Sequence, residues 1–232
     1  MKKWFVYMMI CALVFAFYTA ALANSEISNV SFDIATAYLP GVDFTYPVVD
    51  LGEDQELNEK INGLIEADAF APFQDWTEDR GADGGLVTIH QDGDWLSMAY
   101  QVQMFSKGAA YPVTLYYTAN YDVKNGTRLT LTDMADAGKI AALLLDKGKL
   151  HSGLEGVEPE VFQAQAEYIS SQELTAIEAM LENDDYQPGD DPSLSQSFFL
   201  WGPDVDVYVA LSVPHALGDW AVFAFPKAEV AK

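Results

Sequence analysis

The side chains best suited to chemistry in this sequence are its three histidines and its many acids. His90, Asp92 and Asp94 are spaced two residues apart, which could place metal ligands on one face of a strand. Asp92 and Gly93 also form an Asp-Gly turn signal, and such a turn requires no metal. We therefore predict a hairpin turn with a solvent-facing His90, and a metal site at this position is the alternative.

A second acidic stretch, in the sequence ENDDYQPGDD, could hold calcium through four carboxylates: Asp184, Asp185, Asp190 and Asp191. It lacks the alternating ligands and the terminal bidentate acid of a calcium-binding loop. We predict a hydrated acidic loop here. For the whole chain we expect no metal and no cofactor.

Nucleophilic catalysis needs a nucleophile that a positioned base activates. His90, His151 and His215 are the histidines of the chain, and none neighbours a Gly-x-Ser-x-Gly motif. Ser152 follows His151 directly, and consecutive side chains rarely point at one another. The 35 acids guarantee many carboxylate pairs, so an envelope glycan hydrolase or deacetylase that uses Asp or Glu stays an alternative. We predict no catalytic residues and expect a protein that is not an enzyme.

The chain begins with two lysines, a long apolar run and the small-x-small tripeptide Ala21-Leu22-Ala23. This pattern predicts a secretory signal peptide over residues 1–23. The apolar run approaches the length of a membrane span, so an uncleaved N-terminal anchor is the alternative. We expect an exported protein that is periplasmic, extracellular or anchored to a membrane and facing outside.

The chain is strongly acidic, with a formal net charge of −23 that becomes −25 once Lys2 and Lys3 leave with the leader. Nucleic acid and anionic membrane surfaces are therefore excluded as partners, because their phosphates need Lys and Arg. The charge favours an acidic surface that keeps the protein soluble, and a basic partner is the alternative, since a field of one sign steers the opposite charge. The sole cysteine, Cys11, lies in the leader, so the remaining chain cannot use disulfides or thiolate chemistry.

The spacing of apolar residues along the chain predicts an ordered series of strands and helices. Strands are predicted at residues 27–38 and 46–51, and helical spacing of Leu57, Ile61 and Ile65 follows. Next come two strands around the Asp92-Gly93 turn and a long strand over residues 113–123, with Tyr116 on its polar face. Asn125-Gly126 then reverses the chain into Leu129 and Leu131.

The middle of the chain changes to helical spacing over residues 133–148 and 158–184, and strands return over residues 198–213 and 219–226. This order predicts an α+β fold with antiparallel sheet and helices packed on one face. Residues 24–232 are expected to form a single domain, with two interlocked lobes, about 24–80 and 81–232, as the alternative.

Three segments resemble the RsiV-like extracytoplasmic domain of unknown function, the family of the ectodomain of the anti-sigma factor RsiV, which also accompanies polysaccharide deacetylase domains. The first is YPVVDLGEDQELNEKINGLI, which contains Ile61-Asn62. The second includes a small-residue break at residues 108–112, followed by Asp122, Gly126 and Leu-Thr-Leu-Thr-Asp at residues 129–133. The third ends in a corner at residues 214–218. The resemblance covers roughly residues 46–226.

The sequence departs from that family at two ring positions. The histidine of the family's small-residue break is Tyr111 here, and the tyrosine of its corner is His215. These departures put in doubt any metal or proton-transfer role carried over from the family's histidine, and each ring could simply pack at a strand end. The predicted ligand-binding set combines this break, the corner and two further aromatic residues: Gly108, Tyr111, Pro112, Tyr116, His215 and Trp220.

The resemblance implies an exported, non-enzymatic ligand-binding or sensing domain of the bacterial cell envelope. Its implied partner is a basic envelope protein such as lysozyme, or a peptidoglycan fragment. A structural or chaperone-like envelope protein that uses an exposed aromatic strand face is a further reading, since Tyr116, Trp201 and Trp220 would lie near one another.

Overall fold

The computed structural model describes residues 31–73, 79–182, 197–201 and 206–232. The predicted leader and the acidic loop at residues 184–191 lie outside these residues. The strands are β1 (Ser31–Leu39), β2 (Val42–Asp50), β3 (Arg80–Asp92), β4 (Trp95–Ser106), β5 (Val113–Asp122), β6 (Thr127–Arg128), β7 (His151–Ser152), β8 (Ser197–Trp201), β9 (Asp206–Ser212) and β10 (Trp220–Pro226). The α-helices are α1 (Gln55–Phe70), α2 (Leu131–Met134), α3 (Ala137–Leu144), α4 (Pro159–Ser170), α5 (Leu174–Glu182) and α6 (Lys227–Val230).

The first sheet has six strands in the order β1-β2-β3-β4-β5-β6. Its pairs are antiparallel except for β2 and β3, which run parallel and are joined through α1. Asp92 pairs with Trp95 across the β3–β4 turn, so the predicted hairpin is confirmed. The α+β fold class is also confirmed. Residues before and after position 80, the boundary of the alternative two-lobe division, both belong to this sheet.

Close backbone approach at β3 explains two consecutive glycines in that strand. A Cβ atom on Gly84 would lie 2.8 Å from the Cα of Val102 on β4, and one on Gly85 would lie 2.6 Å from the carbonyl oxygen of Thr45 on β2. Real side chains do not tolerate these separations. Glycine therefore allows β3 to pair closely with both neighbours, one of them in parallel.

Helix α1 covers one face of this sheet. Its first turn is capped by Asp54, whose carboxylate accepts the N–H of Leu57. Ile61 and Ile65 are buried, as their spacing predicted. Asn62 fixes the helix to β2, because its amide accepts the N–H of Val49 (2.8 Å) and donates to the carbonyl of Val49 (2.9 Å).

The second sheet has four strands in the order β7-β10-β9-β8, all antiparallel. Alternation along β9 and β10 gives this sheet two apolar faces. One face packs against the helices between β6 and β8 and contributes Val207, Val209, Leu211, Ala221, Phe223 and Phe225. The other face packs against the first sheet through Tyr208, Ala210, Trp220 and Val222. The two sheets therefore share a core.

Burial of Tyr116 follows from this arrangement. The prediction that Tyr116 lies on an exposed polar face of β5 is wrong, because the side chain is only 2% exposed. The second sheet covers the face of β5 that alternation marked as polar, and β8 lies directly against β5. Burial accordingly raises the pKa of the Tyr116 phenol.

Chain reversal at Asn125-Gly126 is confirmed, since the N–H of Gly126 donates to the carbonyl of Asp122. The strand that follows is shorter than the sequence predicted. Leu131 begins helix α2 instead, because Thr130 and Asp133 form a reciprocal capping box. In the part of the chain that the structure describes, no helix is long and apolar enough to cross a membrane.

Candidate functional site

A cleft with a volume of about 340 Å³ lies where the two sheets meet at one end. It is bounded by the end of β4, the start of β5, the loop between them, and the corner between β9 and β10. The lining residues are Met104, Ser106, Ala109, Tyr111, Val113, Thr114, Leu115, Ser212, Val213, Asp219 and Trp220. Pockets of this size that combine apolar walls with a few polar groups are the usual form of a ligand site.

The loop between β4 and β5 supplies one wall of the cleft and contains the small-residue break. Gly108 has φ of +87°, a left-handed conformation that favours glycine, and it allows the turn after Lys107. Pro112 cannot donate a backbone hydrogen bond, and β5 begins only at the next residue. Tyr111 is left projecting from this loop and is 67% exposed.

The corner between β9 and β10 supplies the opposite wall. A short 3₁₀ helix, His215–Leu217, ends at Gly218 with φ of 100°. Asp219 follows with φ of 70°, a positive value in a residue other than glycine. The N–H of Val213 donates to the carbonyl of Asp219 (2.8 Å), which closes the corner.

A buried side chain of helix α4 supports this corner from below. Gln165 is 6% exposed, and its amide nitrogen donates to the carbonyl of Leu217 at 2.8 Å and to the carbonyl of Trp220 at 3.3 Å. These two hydrogen bonds satisfy backbone groups on both sides of Asp219. The corner is therefore fixed to the helical layer as well as to the sheet.

The carboxylate of Asp219 connects the corner to β5. Its Oδ1 lies 2.8 Å from Nδ1 of His215, and its Oδ2 accepts the N–H of Thr114 at 2.8 Å. The Asp219 side chain is 11% exposed, whereas the His215 side chain is 57% exposed. Because the carboxylate accepts from Nδ1, the imidazole is held in one orientation and its other nitrogen is left for a ligand or for water.

Tyr111 and His215 meet across the mouth of the cleft. Their ring centroids are 6.0 Å apart with the planes tilted by 35°. The structure thus brings together the two positions at which this chain departs from the family it resembles. Two further apolar side chains, Phe105 and Val113, are exposed near the same edge.

The remaining predicted binding residues fall in different places. Trp220 lines the cleft and is 8% exposed. Gly108 and Pro112 lie in the loop that carries Tyr111 and do not line the cleft, and Tyr116 is buried between the sheets. Whether these residues bind a ligand stays a prediction.

Asp219 is the residue that sequence reasoning missed. Its signal was present in Pro-His-Ala-Leu-Gly-Asp, where an acid follows a turn glycine four residues after a histidine. The predicted corner ends at Gly218, and Asp219 is predicted only as the start of the last strand. Asp adopts a positive φ more readily than most residues other than glycine.

The alternative metal position lies at the β3–β4 turn. His90 is half-buried rather than solvent-facing, and burial lowers the pKa of His90 against the opposing charge of Asp92. Asp94 lies 3.8 Å from the Lys124 ammonium. Among the residues that the structure describes, no three His, Cys, Asp or Glu side chains are grouped to hold a metal ion.

No family model and no curated protein matches this chain. Among solved structures, the chain is similar to a DUF3298 family protein from Pseudomonas aeruginosa PAO1, with 14% sequence identity, a TM-score of 0.45, and coverage of 88% of this chain and 94% of that one. It is also similar to a member of the DUF3298 family from Bacteroides fragilis NCTC 9343, with 13% identity, a TM-score of 0.45, and coverage of 88% and 93%.

Proposed function

We propose that this protein is an exported, non-enzymatic ligand-binding or sensing domain of the bacterial cell envelope, and that its ligand binds the cleft beside Tyr111 and His215. The observation that supports this proposal most is the exposed Tyr111 ring beside an imidazole that a buried carboxylate orients. Exposed aromatic rings next to fixed polar groups are typical of binding sites, where they provide contact area at low entropic cost.

Two ligand classes follow from the family resemblance: a basic envelope protein such as lysozyme, and a peptidoglycan fragment. The strong negative charge of the chain favours the first, because it would accelerate encounter with a basic partner and make binding weaken as salt rises. The cleft volume of about 340 Å³ accommodates a single side chain or sugar ring from either.

Hydrolysis is supported less well than binding. A glycan hydrolase or deacetylase would need two carboxylates, or a histidine and two acids, in one cleft. Among the described residues that line this cleft, Asp219 is the sole acid. Binding is therefore the function that the geometry favours here.

The direct test is calorimetric titration of the purified protein with lysozyme and, separately, with soluble peptidoglycan fragments. We expect saturable binding to one of them, weakened about tenfold by Tyr111→Ala. Tyr168→Ala is the matched control, because Tyr168 is an exposed tyrosine on α4 that does not line the cleft. Equal binding by both variants and by the wild type would place the ligand elsewhere, and no binding to either ligand would remove both as candidates.

A further inference from the structure

The carboxylate of Asp219 is buried without a permanent countercharge. In the described part of the chain, its ion-pair partner is His215, which is charged only when protonated. Lys107, in the loop beside the cleft, instead pairs with Asp79 at 3.2 Å. Burying a carboxylate costs free energy that two hydrogen bonds offset only in part. A cation bound in the cleft would offset the remaining free-energy cost of burying this carboxylate.

The walls beside this carboxylate suit a cation. Tyr111 and Trp220 both line the cleft, and the faces of tyrosine and tryptophan rings attract Lys and Arg side chains through their quadrupoles. None of the described residues that line the cleft is Lys, Arg or His, so no lining side chain adds positive charge next to a bound cation. The lining side chains of Met104 and Val113 are apolar and at least partly exposed, so they are available for the methylene stem of a long basic side chain.

The net charge of the whole molecule also favours binding of a cation. The formal net charge is −23, so the whole surface draws cations towards the protein before any specific contact forms. The local features then select among arriving groups: a carboxylate at the base, two aromatic walls and an exposed imidazole edge at His215.

From these observations we propose that the cleft binds the side chain of a lysine or arginine presented by a basic protein partner, with the cation held between Asp219 and the rings of Tyr111 and Trp220. This inference rests on the proposed function and names the chemistry that its site recognises. In this proposal Asp219 gives the cleft its specificity for a basic side chain. Binding of a peptidoglycan fragment is the alternative outcome of the test.

The experiment uses three small probes on the purified protein: N-acetyl-lysine methylamide, the corresponding arginine compound, and the lysine compound with its Nε acetylated. Binding is followed by calorimetry and by amide chemical shifts at Thr114, Asp219 and Trp220. We expect the lysine or arginine probe to bind at the cleft and the Nε-acetylated probe to bind at least about tenfold more weakly, because it retains the stem and loses the charge. Equal binding of the charged and acetylated probes would overturn the inference.

Variants provide a second readout with lysozyme as a basic protein. Asp219→Asn should weaken lysozyme binding by at least about tenfold, since it removes one charge of a buried pair. Asp43→Asn is the matched control: Asp43 is an exposed acid on β2, so the same change in net charge there should alter binding by less than about twofold. Tyr111→Leu keeps apolar bulk without an aromatic face, and it should weaken the charged probes but not the acetylated one.

The outcomes separate this inference from the proposed function. If peptidoglycan fragments bind at the cleft while neither charged probe does, the inference fails and the proposed binding function stands. If lysozyme binds but Asp219→Asn and Asp43→Asn behave alike and neither charged probe binds, the inference fails as well. If no ligand shifts Thr114, Asp219 or Trp220, both the inference and the proposed site are contradicted.

Discussion

The Oδ1 atom of Asp219 lies 2.8 Å from Nδ1 of His215, and the other oxygen of the same carboxylate accepts the N–H of Thr114 at 2.8 Å. One buried side chain thereby orients an exposed imidazole and ties the β9–β10 corner of the second sheet to the start of β5 in the first. The candidate binding site and the junction between the sheets depend on the same residue.

Asp219→Ala should lower the free energy of unfolding by about 1–3 kcal/mol, because it leaves the partly buried N–H of Thr114 without its acceptor and places alanine at a positive φ. Asp219→Asn should cost less, since asparagine tolerates this backbone conformation and keeps one acceptor oxygen. Urea denaturation of the two variants measures the difference. Equal losses for both would show that the hydrogen bond and the backbone conformation contribute little.

Gly85→Ala should destabilise the protein by about 1–3 kcal/mol, because its Cβ would lie 2.6 Å from the carbonyl oxygen of Thr45. Gly63→Ala is the matched control: no atom lies within 4 Å of its new Cβ, and its position in α1 should make alanine stabilising by about 0.5–1 kcal/mol. Thermal and urea unfolding of both variants tests whether the free energy of unfolding falls in Gly85→Ala and rises in Gly63→Ala. A neutral Gly85→Ala would contradict the close contact between β2 and β3.

Gln165→Leu should destabilise the protein by about 1–3 kcal/mol, because two carbonyl groups of the corner lose their donor. Gln163→Leu makes the same chemical change at an exposed position of α4 and should have little effect on the free energy of unfolding. The Gln165 variant should also shift the ring resonances of His215. Unchanged His215 resonances in a folded Gln165→Leu protein would show that α4 does not position the corner.

Protonation of His90 should lower the free energy of unfolding as the pH falls. Burial lowers the pKa of His90 below its ordinary value of about 6.5, so the folded protein takes up this proton less readily than the unfolded chain does. The contribution of His90 is therefore lost as the pH falls from neutral through about 6.5 and towards the lower folded value. His90→Gln should lose less free energy of unfolding between pH 7.5 and 5.5 than the wild type loses. A His90 ring that titrates above 6.5 by NMR would contradict the sign.

Local sequence patterns predicted the parts of the fold that depend on local periodicity. Alternation identified β4, β5 and β9, and the Asp92-Gly93 and Asn125-Gly126 signals identified their turns. Alternation cannot show what covers the second face of a strand, which is why Tyr116 was misplaced. The alternation along β5 marked that face as polar, and the second sheet that covers it contacts β5 through β8 and β10, which come much later in the chain.

The candidate site was predicted only in part, because it also depends on contacts between distant segments of the chain. Tyr111 and His215 were singled out as ring positions, but their proximity depends on how the two sheets pack together. The sequence predicts Asp219 only as the first residue of the last strand, because its role arises from a contact with Thr114, 105 positions earlier in the chain. The Thr130–Asp133 capping box, by contrast, was readable from the sequence and would have marked Leu131 as the start of a helix.

The most direct test of the central claim is a chemical-shift titration of the isotopically labelled protein with lysozyme and with peptidoglycan fragments. If the cleft is the binding site, saturable shifts should concentrate at Tyr111, Thr114, His215, Asp219 and the Trp220 indole, and Tyr111→Ala should reduce them. Saturable binding that instead shifts residues on β1 or α5 and leaves these five unchanged would contradict the assignment of the cleft as the ligand site.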